Sequence, residues 1–244
     1  MRDFLAGLSY AWRGLRLVLQ PGLRRFVAVP LALNTALFAG AIWYVFSRVD
    51  ALVSRWIPDW LSWIEWILWP LLAVAAALLV FYTFSLAANL VGAPFNGWLA
   101  EAVERRATGQ GPPAFSVRDM LRQAPRLVGA ELRKLGWFLA RAVPLGLLFL
   151  VPGLSLLAPF LWLAFSAWSL ALEYLDYPMG NHGLLFPEVR ARARRRRLLA
   201  LGFGLGVTAL TTVPVLNFLA MPAGVAGASL LWAERLRDAS SRAA

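Results

Sequence analysis

The stretch that decides the fold runs from Ala142 to Leu172, AVPLGLLFLVPGLSLLAPFLWLAFSAWSLAL, 31 residues without a charge, broken near one third of its length by Pro152-Gly153. At about 1.5 Å per residue, one helix of that length would overshoot a hydrocarbon core of about 30 Å, while two full crossings need about 40 residues and a turn. The run is too interrupted for one crossing and too short for two. It reads as a helical hairpin that enters the bilayer partway and returns. Leu198 to Ala233 repeats the layout over 36 uncharged residues, broken by Pro214 and Pro222 around Asn217, and predicts a second such hairpin. Hairpin tips inside a bilayer carry broken backbone that lipid tails cannot satisfy, so protein must surround them. This predicts a homo-oligomer.

Upstream, the segments have full-span lengths. Phe26 to Phe46 is 21 residues without a charge, enough to cross the hydrocarbon once. A polar connector from Ser47 to Glu65 follows, and then Trp66 to Trp98 is uncharged, with residues 66–92 as the second full span. The first 20 residues, MRDFLAGLSYAWRGLRLVLQ, lack the uninterrupted apolar stretch and cleavage site of a secretory signal. At 100° per residue, Phe4, Leu8, Ala11, Trp12, Leu15, Val18 and Leu19 share one arc, and Arg2, Arg13, Arg16 and Gln20 the opposite one. The pattern is that of a helix lying in the membrane interface. The expected fold is therefore all-α: one integral membrane domain over 1–244, with two long transmembrane helices, two partly inserted hairpins and amphipathic interfacial helices.

Composition agrees. Hydrophobic residues make up 60% of the chain and the mean hydropathy is +0.63, values unsuited to a water-soluble core. Twelve tryptophans, several of them beside the ends of apolar runs (Trp56, Trp60, Trp63, Trp66, Trp69), compose an aromatic belt. The net charge of +11 is carried almost wholly by arginine, Lys134 being the one lysine. Membrane proteins concentrate such charge in cytoplasmic loops, so the basicity needs no nucleic-acid partner. Arg2, Arg13, Arg16, Arg24 and Arg25 precede the first span against Asp3 alone, which places the amino terminus in the cytoplasm. With no cysteine and a single histidine, the sequence offers no metal cluster or nucleophile–base pair, and no G-x-x-x-x-G-K-[ST] phosphate loop is present. An enzyme, a bound cofactor and ATP hydrolysis are not expected.

Two segments carry candidate chemistry. In Gln20-Pro21-Gly22-Leu23-Arg24-Arg25 the interfacial helix stops and the first span begins. Unpaired amides at a helix start, joined by two guanidinium groups, suit a tetrahedral dianion such as sulfate. On these residues alone, a turn made by Pro-Gly and an arginine pair anchored to lipid phosphates is the plainer account of the pattern. Asn89 to Gly97, NLVGAPFNG, ends the second span with residues that permit unwound backbone beside a water-filled path. Glu101, Glu104, Arg105 and Arg106 follow and would pair their charges at a pore mouth; an ordinary helix end with a solvated face is the alternative. Asn34, within the first span, is a further pore-lining candidate, although uncharged Asn also joins helices. Arg118, Arg122, Arg126 and Arg133 share a helical face, bent at Pro125, that draws anions inward or binds anionic lipid. The run from Arg190 to Arg197 reads as a lipid-binding face without a specific site. His182, alone near Asp176, reads as a structural loop residue.

At QPGLRRF (20–26), APFNGWLAE (93–101), DYPMGNH (176–182) and PVLNFLAMPAGVAGAS (214–229) the chain resembles the CysZ family of bacterial sulfate permeases, in order and over nearly its whole length. The resemblance implies two long spans with two partly inserted helical pairs, a homo-oligomer in the bacterial inner membrane, and channel-like, ATP-independent sulfate uptake feeding cysteine synthesis. It also implies a sulfate site at Gly22, Leu23, Arg24 and Arg25. Transport of sulfite or another small oxyanion, or a scaffold that only binds membrane lipids, are the competing functions.

Overall fold

The computed structural model describes residues 1–56, 65–112 and 117–237, all helical or in short connections. Among these residues eight α-helices follow in order: α1 (Arg2–Val18), α2 (Arg25–Trp56), α3 (Glu65–Thr108), α4 (Val117–Leu147), α5 (Ala158–Gly180), α6 (Phe186–Arg195), α7 (Arg197–Thr212) and α8 (Pro214–Leu231). A π turn, Trp232–Leu236, extends α8. Among the described residues three segments are long and apolar enough to cross a membrane: Arg25–Val45, Ala158–Gly180 and Pro214–Leu236. By contacts the chain forms two units, one of residues 1–26 with 96–244 and one of residues 27–95.

In the smaller unit, α2 carries the first predicted span. Its large apolar side chains, among them Val29, Leu31, Leu33, Leu37, Ile42 and Trp43, are exposed, as a lipid-facing surface requires. Residues 66–92 lie within α3, which runs unbroken through Pro70 and Pro94 to Thr108. The expected unwinding in NLVGAPFNG is thus corrected. A proline forfeits one amide bond, and a helix in an apolar setting keeps the remaining ladder because no solvent replaces it.

The larger unit is built around α7 and α8, against which α1 and α5 pack. Leu172, Leu175, Met179, Leu199, Phe203, Leu210 and Leu231 are fully buried there. The face that α1 buries is Gly7, Tyr10, Ala11, Gly14, Leu15 and Val18, turned toward protein, whereas Trp12 and Leu19 of the predicted apolar arc stay exposed. The reason is contact distance. A Cβ on Gly14 would stand 2.1 Å from Ala223 O and 2.5 Å from Gly227 N, so the backbones meet only because the side chain is missing. At the far end of α1, Arg13 donates to Glu234 at 2.9 and 2.5 Å, and the Tyr10 hydroxyl donates to the same carboxylate at 2.7 Å.

The first predicted hairpin turns between 148 and 157, where two 3-10 turns flank Pro152-Gly153. Its second arm, α5, continues past Leu172 through Glu173 and Asp176 to Gly180, a length of about 34 Å for 23 residues. The second hairpin bends once, at Val213, whose backbone is extended, with Pro214 starting α8. Pro222 does not break it. That expectation is corrected: Pro222 lies inside α8, eight residues beyond the start of the helix. Buried between α4 and α5, Lys134 Nζ lies 2.6 Å from Asp176, 3.1 Å from Glu173 and 3.8 Å from Glu131. Burial pulls its amine pKa down, but the three carboxylates outweigh burial and hold it above the usual lysine value.

Candidate functional site

The chain between α1 and α2 turns through Gly22 at φ +89°, a left-handed conformation that suits glycine. The amides of Leu23 and Arg24 both donate to Gln20 O at 3.2 Å, and that of Phe26 to Leu23 O at 3.0 Å. Part of the donor set expected for an anion is therefore used by the turn itself. Leu23 is buried and pins the turn, which leaves Arg24 and Arg25 exposed, with the Arg25 guanidinium 5.0 Å from the centre of the Phe26 ring.

Arg25 does not stand alone. Together with Phe26 from the turn and Trp98, Glu101, Ala102, Arg105 and Arg106 from the last turns of α3, it lines an open pocket of about 560 Å³. Helical spacing puts 98, 101, 102 and 105 on one face of α3, so a single face meets the turn. Glu101 is bonded to Arg105. Three guanidinium groups against one carboxylate leave a net of two positive charges around the cavity. No carboxylate partners Arg25 or Arg106 among the described residues. Such a pocket attracts a small dianion and, being open, can exchange it with water.

Glu104, one helical turn from Glu101, is not among the residues that line the pocket and is fully buried. Its Oε1 lies 2.8 Å from His182 Nε2 and 3.5 Å from Arg237 Nη1, and its Oε2 lies 3.0 Å from His182. With Glu104 ionised, Nε2 carries the proton and donates it. Asn181, beside His182, donates to Gly97 O at 2.9 Å, and the buried Asn96 lies 3.7 Å from Met221 Sδ. The segments 96–104 and 181–182 are thus docked on each other, with Met221 of α8 alongside.

The sequence-derived residues of the larger unit fall into three groups. Arg25, Glu101, Arg105 and Arg106 share the pocket; Gly22, Leu23 and Arg24 form the turn at its edge; Asn96 and Glu104 sit in the packed interior of the same unit. Asn34 and Asn89 belong to the unit of residues 27–95. Asn34 Oδ1 is buried without a hydrogen-bond partner among the described residues, and the Asn89 side chain lies outside them, as do those of Arg118, Arg122 and Arg126. Trp60 and Trp63 of the expected belt also lie outside the described residues. Trp98, Phe26 and His182 are site residues that sequence reasoning did not select. Residues 10–222 match the model of the family described as sulfate transporter CysZ/etoposide-induced protein 2.4.

Proposed function

This chain belongs to the sulfate transporter CysZ/etoposide-induced protein 2.4 family, and we propose that it carries sulfate across the bacterial inner membrane to supply cysteine synthesis. The observation that carries this reading is the pocket in which Arg25, Arg105 and Arg106 face one carboxylate. Sulfate is a tetrahedral dianion, and guanidinium groups donate to two of its oxygens at once. In this reading Arg25 and Arg106 capture the anion at the Gly22–Arg25 turn, and the Glu101–Arg105 pair supplies a carboxylate that keeps capture reversible. A pathway must bind its ion weakly enough to release it. Passage is channel-like and driven by the sulfate gradient without ATP, and the protein is a transporter rather than an enzyme. The amino terminus lies in the cytoplasm, and copies of the chain assemble so that the hairpin tips are covered by protein.

Labelled-sulfate uptake into liposomes carrying the purified protein, beside an Arg24→Ala/Arg25→Ala variant and with sulfite as competitor, tests the proposal. Uptake that collapses in the variant is the expected result. Competition by sulfite at equal concentration would widen the substrate to small oxyanions. Flux at the level of empty liposomes would replace transport with a membrane scaffold.

A further inference from the structure

A second cluster of unpaired positive charge lies away from the pocket. The Trp137 ring on α4 has the Arg141 guanidinium 4.0 Å and the Arg190 guanidinium 5.4 Å from its centre. Edge-on contacts to Phe138 and Phe186 hold the ring in place, and Arg141 also donates to Trp137 O at 3.0 Å. No carboxylate partners Arg141, Arg190 or Arg194 among the described residues. Burial first, then repulsion from Arg194 and Arg141, pulls the Arg190 pKa below its usual value, as expected where cations gather without a counter-ion. The indole N–H of Trp137 is buried and has no acceptor among the described residues.

The position of the cluster says which anion completes it. Arg141 is the last charge before the uncharged run 142–172, and Arg190 and Arg194 stand on α6 just before the uncharged run 198–233. Both apolar hairpins therefore begin at this cluster. Indole rings and arginines at such a boundary occupy the headgroup level of a bilayer.

We propose that Trp137, Arg141 and Arg190 form a headgroup site for an anionic phospholipid, the phosphodiester lying between the two guanidinium groups with Arg194 adding long-range attraction. Guanidinium groups favour phosphate by paired hydrogen bonds, and the ring under them fixes their planes. The lipid ties α4 to α6 at the base of both hairpins.

Native mass spectrometry of the full-length protein, released from micelles holding equal phosphatidylglycerol and phosphatidylcholine, tests this. The parent retains a phosphatidylglycerol adduct in preference to phosphatidylcholine. An Arg141→Gln/Arg190→Gln variant loses that adduct by roughly thirtyfold, and an Arg2→Gln/Arg16→Gln variant keeps it. Should the double variant not fold, Arg190→Gln alone gives a loss of about fivefold. Equal retention of the two lipids by the parent, or equal loss in the Arg2/Arg16 control, overturns the site. Displacement of the lipid by millimolar sodium sulfate overturns the lipid assignment in favour of a free-oxyanion site.

Discussion

His182 Nε2 stands 2.8 Å from Oε1 of Glu104, across 78 residues of sequence, and the carboxylate it meets is fully shut off from solvent. Removing the imidazole leaves that carboxylate with Arg237 at 3.5 Å and one fewer donor. A buried acceptor stripped of its partner costs about 1–3 kcal/mol. His182→Ala is therefore expected to lower the thermal unfolding midpoint in detergent. His182→Gln, which can still donate, should restore part of it. An unchanged midpoint in His182→Ala would show that the pair holds nothing.

Lys134→Met removes the cation between Asp176, Glu173 and Glu131 and leaves their repulsion unopposed, a loss of about 3 kcal/mol by analogy with other broken buried pairs. The pH dependence has a fixed sign. Because the native pKa is raised, the stability due to Lys134 is complete below the ordinary lysine value of about 10.4 and falls as pH rises through the raised native value. Unfolding midpoints from pH 8 to 11 should fall more steeply for the parent than for Lys134→Met. Parallel curves would remove the lysine from the account of alkaline stability.

Glu101→Gln raises the charge of the pocket and releases Arg105 from its ion pair, whereas Arg106→Ala lowers the charge. Sulfate uptake should show a KM reduced several-fold in the first and raised several-fold in the second, with the Arg106→Ala difference shrinking at high salt as screening grows. Uptake kinetics in liposomes measure both. The same KM in both variants would separate this pocket from the permeation route.

Gly14→Ala forces a methyl group against Ala223 O and the backbone at Gly227. Backbone cannot step aside as a side-chain tip can, so the helices must separate. The expected cost is about 1–3 kcal/mol or more, read as a lower midpoint and a broader size-exclusion profile. A midpoint equal to that of the parent would mean that α1 is not seated on α8 as described.

Much of this was legible in the sequence because lipid imposes simple rules of length. The uncharged runs predicted the helices, and Pro152-Gly153 predicted the first turn. Local chemistry singles out residues 22–25 and 101–106, yet nothing local says that Arg25 and Arg106 line one pocket, since no periodicity spans 81 positions. His182 was read against its near neighbour Asp176, while its partner Glu104 lay far upstream. In α1 the apolar arc favoured Trp12 and Leu19 over Gly7 and Gly14 because hydropathy gives glycine little weight. Backbone proximity, which those glycines permit, decided the buried face instead. Local propensity makes breaks of Pro222 and Pro94, but a helix that lacks competing solvent tolerates a proline inside it.

The seating of α1 on α7 and α8 also sets an order of events during synthesis. Helix α1 acquires its partners only when the hairpin of α7 and α8 is made. Some 180 residues later, at about 5–20 residues per second, that is a wait of roughly 10–40 s. Through that interval the glycine-lined face of α1 must be sheltered by lipid or by an insertion factor. A ribosome that stops short of α7 thus leaves behind a chain in which α1 has no native partner, the kind of exposed face that quality-control proteases recognise.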